Sequence, residues 1–509
     1  MNLKVQQSDE VYEALVKILG AGNVTREKHD LICYEKDFSL SSTAHMPDFA
    51  IHARTTRQVL EVVRLANRYK TPIVPRGGGT NPWGGAIPVI GGIVLDMRKM
   101  NRLLNVDKEN LTVTVQAGVV MWDLVKRLEK LGFFIADKPG SWFSATIGSR
   151  TQTDGAGYYN AKYGRFIDQV ICLEVVLPTG EVIKTGPAKV YDPGSGYDLT
   201  RLFSNSEGTL GIITEVTLKM HPLPEHRVVE VIEFPTYEDA VKAVADIRDS
   251  GLIPETLETM DGRQYSRWLH AIYVDPQEPY HYSKVSVLRR LPPEVAEDAG
   301  IMVVAYAGIK KLVAAQAELG YGICQKFGGN QVPDWCREAL LASKGTYPHN
   351  PAPHDSSLMG KPSKYVLSAT MPLERAAEVY RTYLKLVSKY NVEPRGMEAI
   401  YGAPDFHATI CAQIYIDERN REEVKAARKF MDEIHRFVIS LGGGTGGYGG
   451  LGMMKMQYVK NRGSALEITK KIKLLLDPNN IMNPGKKFKF QVEIGGNQSH
   501  GYFVRSEEI

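Results

Sequence analysis

Residues 75–85 read Pro75-Arg76-Gly77-Gly78-Gly79-Thr80-Asn81-Pro82-Trp83-Gly84-Gly85. They follow a short apolar run, 72–74, that reads as a strand. A run of glycines lets the backbone approach a ligand closely, and free N–H groups in such a turn can nest phosphate oxygens. No Gly-Lys-Ser/Thr follows, so this is not a Walker A loop. It is not GxGxxG opening a helix either. Two further stretches repeat the chemistry. One runs from Ser144 through Ile147 and Gly148 to Asp154-Gly155-Ala156-Gly157, the other is Ser206-Glu207-Gly208-Thr209-Leu210-Gly211-Ile212-Ile213. Three such loops within about 140 residues predict one long, phosphate-bearing cofactor rather than three unrelated turns.

Around these loops the first ~220 residues alternate strand and helix. A helix is expected over 57–70, with Val59, Leu60, Val62, Val63 and Ala66 on one side, and another over 121–131 ending at Gly132. Strands are expected at 93–95, 111–115, 170–177 and 212–220, and the second glycine-containing stretch, 138–164, reads as loop. Pro222-Leu223-Pro224 marks a boundary. Beyond it strands at 228–234, 301–306, 365–369 and 408–416 each precede a helix, at 237–249, 310–326, 373–389 and 419–440. That order predicts an antiparallel sheet with helices on one face. Residues 276–293, rich in Tyr, Pro and His, read as loop. The expected organisation is a helical lead-in, 1–45; a cofactor domain, 46–222; a second domain, 223–488, with a cofactor-contacting end; and a tail, 489–509.

The chain has 509 residues, 43% of them hydrophobic and 24% charged, and a net charge of +4. It is long enough for several domains and ordinary in composition, which argues against disorder. So small a net charge gives no case for nucleic-acid binding. No apolar run reaches the ~18 residues of a membrane span. The first twenty residues lack a basic-then-apolar leader and read as an amphipathic helix. Five cysteines, Cys33, Cys172, Cys324, Cys336 and Cys411, never fall in a CxxC pair. Neither a disulfide framework nor a zinc or iron–sulfur site is expected, and a cytoplasmic setting is the simplest.

The loops belong to an ordered series. PRGGGT is followed by GGIVLDMRKMNRLLNVDKENLTVTVQAGV, ATIGS, YGRFIDQVICLEVVLPTGEV, SEGTLGIITEVTLKMHPLPE and LLLDPNNIMNPGKKF. The series resembles the FAD-linked oxidases of the vanillyl-alcohol oxidase and p-cresol methylhydroxylase superfamily. It is nearest the D-lactate dehydrogenase and glycolate oxidase flavoprotein subunits. The resemblance covers nearly the whole chain. It implies an α+β fold: a two-subdomain FAD-binding domain of the p-cresol methylhydroxylase type and an α+β cap domain with an antiparallel sheet. It implies FAD contacts from Pro75, Arg76, Gly77, Gly78, Gly79, Thr80 and Gly84 in the first loop. Pro139, Gly140, Thr146, Gly148, Ser149, Gly155 and Tyr158 would contribute from the second. Glu207, Gly208, Gly211, Ile212 and Ile213 come from the third, with Asn483 and Lys486 from the closing NPGK motif. Relatives that bind FAD covalently often carry a His where Thr80 stands, so non-covalent FAD is expected.

The chain departs from that branch at its metal motifs. The family's HxGDGNxH aligns with residues 400–407 and its EHGIG with 448–452. Ile400, Tyr448 and Gly449 therefore replace a His, the Glu and a His, and His407 alone is kept. One imidazole is not a metal site, so no catalytic metal is expected. His407 is a candidate base for a substrate hydroxyl, or a packed core histidine. Tyr448 would orient or deprotonate the hydroxyl, or simply pack. Arg337 and Lys364 would hold a carboxylate, or sit in solvent. Trp142 would lie by the flavin or fill the core.

The resemblance thus implies hydride transfer from a hydroxyl-bearing carbon to flavin N5, with a 2-hydroxy acid such as D-lactate or glycolate as substrate. The alternatives are a phenol or alcohol oxidoreductase, an alkyl-transfer enzyme, and an electron-transfer subunit that oxidises no small molecule. The electron acceptor is not written in the chain. Oxygen, a quinone and a separate iron–sulfur or electron-accepting protein partner are all open as the acceptor, and a homodimer is a family-level expectation.

Overall fold

The computed structural model describes residues 2–39, 44–266, 295–334, 336–337, 363–403, 405–447 and 449–488. Tyr448, Trp335, the expected loop 276–293 and the tail 489–509 lie outside the described residues, as does the side chain of Lys364.

Helix α1 (Asn2–Leu19) leads in and packs Val11 and Leu15 onto the first sheet. That sheet has four strands, β1 (Val24–Thr25), β2 (Phe49–His52), β3 (Ile73–Arg76) and β4 (Ile93–Asp96), in the order β1-β2-β4-β3. β2 and β3 both run parallel to β4. The connection that parallel strands require is helix α2 (Thr56–Tyr69). Thr55 caps it by accepting from Gln58 N, a contact worth ~1 kcal/mol, and Lys70 ends it in the left-handed region.

The second sheet comprises β5 (Leu103–Asp107), β6 (Thr112–Gln116), β8 (Val170–Val176), β9 (Val182–Lys184) and β10 (Ile212–Lys219). It is antiparallel throughout, in the order β5-β6-β10-β8-β9. Helix α3 (Met121–Glu129) covers it, and β7 (Phe133–Phe134) pairs with β11 (His221–Pro222) at its side. Both sheets share one apolar core through Val59, Val62, Val63 and Ala66 of α2.

The cap sheet has seven antiparallel strands: β12 (His226–Phe234), β13 (Thr256–Asp261), β14 (Gly300–Gly308), β15 (Asn330–Gln331), β16 (Ser363–Met371), β17 (Glu393–Gly402) and β18 (His407–Ile416). Their order is β15-β12-β14-β13-β17-β18-β16. One face is apolar and buried under four helices, α5 (Tyr237–Asp249), α6 (Lys310–Gln325), α7 (Ala376–Tyr390) and α8 (Arg421–Ser440). This is the antiparallel sheet with helices on one face that the strand–helix alternation predicts.

Among the elements that escape the sequence pattern, four bear on the site and its frame. α4 (Ile147–Thr153) lies inside the stretch read as loop; Thr146 and Ser149 form its capping box. β17 carries Pro394 and Gly396, which demote a strand on paper, and the register does slip between them. β13 buries Glu258 and Asp261, so it lacks an apolar run. The last, α9 (Ser464–Leu476), leads into the chain's return.

That return ties the molecule together. Ile73 N donates to Ile481 O at 2.7 Å and Asn483 N to Ile73 O at 2.8 Å, so the closing segment pairs with the free edge of β3. Lys473 Nζ, 3% exposed, donates to Asp477 Oδ2, Thr209 O and Met482 O. Between α3 and α4, Arg150 forks onto buried Asp137 at 2.6 and 2.9 Å and reaches Gly155 O at 2.6 Å. Removing one partner of such a pair leaves a charge buried alone. Asp137→Ala is therefore expected to destabilise the protein by ~3–5 kcal/mol, read as a fall in the urea midpoint. A midpoint unchanged within error would show that the pair contributes nothing net.

Candidate active site

The three glycine loops meet. A Cβ on Gly77 would fall 2.4 Å from Thr146 Oγ1, and one on Gly78 would fall 2.0 Å from Ser144 O. Only glycine allows the first loop to press so closely on the second. Gly208, at φ +72°, lies against Pro75 in the same way. Together the loops wall a cleft of about 1550 Å³, counting solvent at its mouth.

Pro75, Arg76, Gly77, Gly79 and Thr80 line this cleft from the first loop. Pro139, Gly140, Thr146, Gly148 and Ser149 line it from the second, and Glu207, Gly208, Ile212 and Ile213 from the third. The other residues expected to touch the cofactor stand behind this layer. Gly78 abuts Ser144, Gly84 abuts Met453, and Gly155 abuts Arg150 and the Gly449 N–H. Gly211 lies against Val175 and Val176, and Tyr158 is 4% exposed. Asn483 Nδ2 donates to Gly85 O and Glu207 O, and Lys486 Nζ donates to Ile87 O at 2.7 Å. Burial lowers the Lys486 pKa to about 8, against the pull of Asp37 and Glu207. These two hold the loops in place.

The walls suit a flavin dinucleotide. Phe38, Met97, Ala117, Ile212 and Ile213 give apolar surface beside the glycine backbone. Gln152 also lines the cleft; its Oε1 accepts from Ser206 Oγ and Gly208 N. Its Nε2 is buried with no hydrogen-bond partner among the described residues, a donor that an acceptor oxygen in the cleft would satisfy.

The cap closes the other end with Val366, Glu398, Cys411 and Gln413, and Gly449 adjoins them. These cap residues were not singled out in the sequence. Their signal is a polar side chain set in an otherwise apolar strand: Glu398 in MEAIYG and Gln413 in ATICAQIYI. Trp83, also missed, lines the cleft, whereas Trp142 packs edge-on against Trp122 in the core.

Two of the expected catalytic residues, His407 and Arg337, stand outside the cleft lining. His407 does not line the cleft. Its Nδ1 contacts Asp405 Oδ1 at 2.8 Å, at the start of β18 and about 13 Å along the strand from Cys411. Arg337 pairs with Asp334 at 2.9 Å, is also outside the lining, and follows Cys336, which packs with Met260 and Tyr265. Lys364 lies in β16 opposite Tyr415, two residues before Val366. Among the described residues no group of three His, Cys, Asp or Glu side chains could hold a metal ion.

Residues 47–186 match the family described as FAD binding domain, and 223–487 match FAD linked oxidases, C-terminal domain. The chain belongs to the FAD-linked oxidases. It is 31% identical over 481 residues to the glycolate oxidase subunit GlcD of Bacillus subtilis (strain 168), covering 94% of this chain and 97% of that one. It is 31% identical over 457 residues to a D-lactate dehydrogenase of Anaerostipes hadrus, covering 86% and 89%. Among solved structures, a 4-ethylphenol oxidase from Gulosibacter chungangensis in complex with isoeugenol aligns with a TM-score of 0.79 at 18% identity, covering 95% and 97%. A p-cresol methylhydroxylase aligns with 0.73 at 21%, again covering 95% and 97%. At these identities the structural likeness establishes the fold alone. No described helix of this FAD-linked oxidase is long and apolar enough to cross a membrane.

One buried cation joins cap to cofactor domain. Lys455, 1% exposed, donates to Thr445 O at 2.7 Å and to Ser368 O at 3.4 Å, and its Nζ stands 3.9 Å over the Trp83 ring. Burial lowers its pKa to about 7, while Glu207 and Cys411 pull it up. The ordinary value is 10.5, so between about 7 and 10.5 the unfolded chain binds more protons and stability rises with pH. The stability of wild type relative to Lys455→Met is expected to increase from pH 7 to 10, by at most ~1.4 kcal/mol per pH unit. Urea midpoints of both proteins across that range test it; a difference that stays flat or shrinks contradicts the assignment.

Proposed function

We propose that this FAD-linked oxidase dehydrogenates a carbon bearing a hydroxyl group, with a 2-hydroxy acid such as D-lactate or glycolate as the substrate. The observation that carries the reading is the cleft itself. It runs from three glycine loops to a polar wall on the cap, so a cofactor and a small polar molecule would meet inside it. The two curated relatives, named for glycolate and D-lactate, support the substrate class. When bound, FAD supplies the two-electron acceptor.

The chain's own residues bind and orient. The loop backbones and Gln152 offer donors to the cofactor, and the cap wall excludes water and faces the substrate. Of the two expected carboxylate-holding cations, Arg337 is engaged by Asp334 and lies outside the lining, which leaves Lys364 for that role. The flavin is held without a covalent bond, because Thr80 offers no imidazole. Dehydrogenation proceeds without a metal, because Ile400 and Gly449 stand where two ligands would be needed. Electrons leave to a separate protein, a reading supported by the word subunit in one relative's name.

Anaerobic titration of the purified holoprotein with D-lactate, L-lactate, glycolate and 4-ethylphenol tests the reading. Saturable bleaching of the oxidised-flavin band by a hydroxy acid is expected, in protein treated with a chelator, with all the flavin released on acid precipitation. Bleaching by 4-ethylphenol alone would move the substrate to phenols. A band that none of the four bleaches would overturn the proposal.

A further inference from the structure

We infer that Glu398 is the catalytic proton acceptor, taking the proton of the substrate hydroxyl as the carbon gives up its hydride. The inference rests on the dehydrogenation proposed above and assigns its missing base.

The register fixes where Glu398 points. Antiparallel pairing sets Met260, Glu398, Cys411 and Ser368 in one row across β13, β17, β18 and β16. Cross-strand partners share a face. Their neighbours Ala399, Ile410 and Leu367 are buried in the helix-covered core. The row therefore faces the other way, and Glu398 and Cys411 appear in the cleft lining. Glu398 is 4% exposed, with its Oε2 3.5 Å from Gln264 Nε2.

Chemistry then selects it from the cap wall. Oxidising H–C–O–H to C=O breaks two bonds: the C–H pair leaves with hydrogen as hydride, and the O–H proton needs a base. The hydride goes to the oxidised flavin. Of the four cap residues in the lining, Val366 accepts nothing, the Gln413 amide is not a base at neutral pH, and the Cys411 sulfur, a weak acceptor, already receives the Gln413 amide. Gln413 is moreover fixed, with Arg395 Nη1 at 2.5 Å from its Oε1 and its Nε2 donating to Cys411 Sγ at 3.2 Å. The Glu398 carboxylate remains, with oxygens that can take a proton, next to where the substrate must lie. His407, engaged by Asp405 at the far end of β18, is not needed for the step. Among the described residues, the ionisable groups that the register sets near Glu398 are Glu258 and Asp261 on β13, Arg395 on its own strand and Cys411 on β18. Arg76, Arg150 and Glu207 line the same cleft from the cofactor domain.

The test takes the donor that bleaches wild-type flavin and repeats the anaerobic reduction with Glu398→Gln and Glu398→Asp across pH 5–9. Glu398→Gln is expected to keep its flavin and to be reduced on the order of 10²–10⁴ times more slowly. It should also lose the acid limb of the rate profile, which Glu398→Asp keeps. Binding of the same donor to dithionite-reduced protein, which cannot oxidise it, is expected to weaken by less than about tenfold, since the loss falls on the reaction step. Reduction of Glu398→Gln at the wild-type rate with the acid limb intact would overturn the assignment. So would loss of flavin from both variants, which would make Glu398 a structural residue. If no donor bleaches the wild type, the dehydrogenase reading fails first and the inference goes with it.

Discussion

The carboxylate of Glu207 is the joint on which the cleft depends. It is 5% exposed, sits at φ +54°, and accepts from Leu451 N at 2.9 Å and Gly452 N at 2.7 Å. A Cβ on Gly450 would fall 2.6 Å from its Oε1, so only glycine lets the segment lie on it. Lys487 Nζ stands 3.2 Å from the same oxygen, and Asn483 Nδ2 donates to the Glu207 carbonyl. One residue in the third glycine loop thus gathers the glycine-rich return from the cap and the closing segment of the chain. A carboxylate receiving several backbone N–H groups needs no mobile counter-ion to be stable when buried. Around that anchor the return is also held to the first loop, where Trp83 O accepts from Met453 N and Asn81 Nδ2 donates to Gly449 O.

The cleft shows how two domains divide the work. The cofactor domain supplies backbone, because phosphate-bearing ligands are read by N–H groups and glycine lets those groups approach. The cap supplies side chains, because a substrate is distinguished by polar groups at defined points on an otherwise apolar wall. A strand sets those points well. The two-residue repeat of β17 buries Met397, Ala399 and Tyr401 under the helices and leaves Glu398 on the cleft side. Buried lysines complete the junction. Lys455, Lys473 and Lys486 donate to Ser368 O, Thr209 O and Ile87 O, main-chain oxygens of segments distant in sequence, where a hydrophobic contact would fix neither register nor direction.

Much of this was legible in the sequence. Glycine loops are legible because their composition is the mechanism, and helices such as α2 and α5 because their apolar face repeats with the helical period. The cap's wall of the cleft was not. β17 hides behind Pro394 and Gly396, whose register shift only the neighbouring strands make tolerable. β13 hides behind its acids. Family alignment drew the expected chemistry toward His407 and Arg337, yet each has a local carboxylate, Asp405 or Asp334, and neither lines the cleft. Sequence order could not reveal that, because a contact two or three residues away looks the same on paper as a free side chain. Glu398 could have been found from a plainer signal, an acid in the middle of a strand otherwise bound for burial.

A crystal structure of the holoprotein with FAD bound tests the central claim most directly. The account predicts the pyrophosphate against the backbone of residues 77–80 and the ring at the end of the cleft closed by Glu398, Cys411 and Gln413. FAD lying with its ring away from the cap wall, or bound outside this cleft, would contradict it.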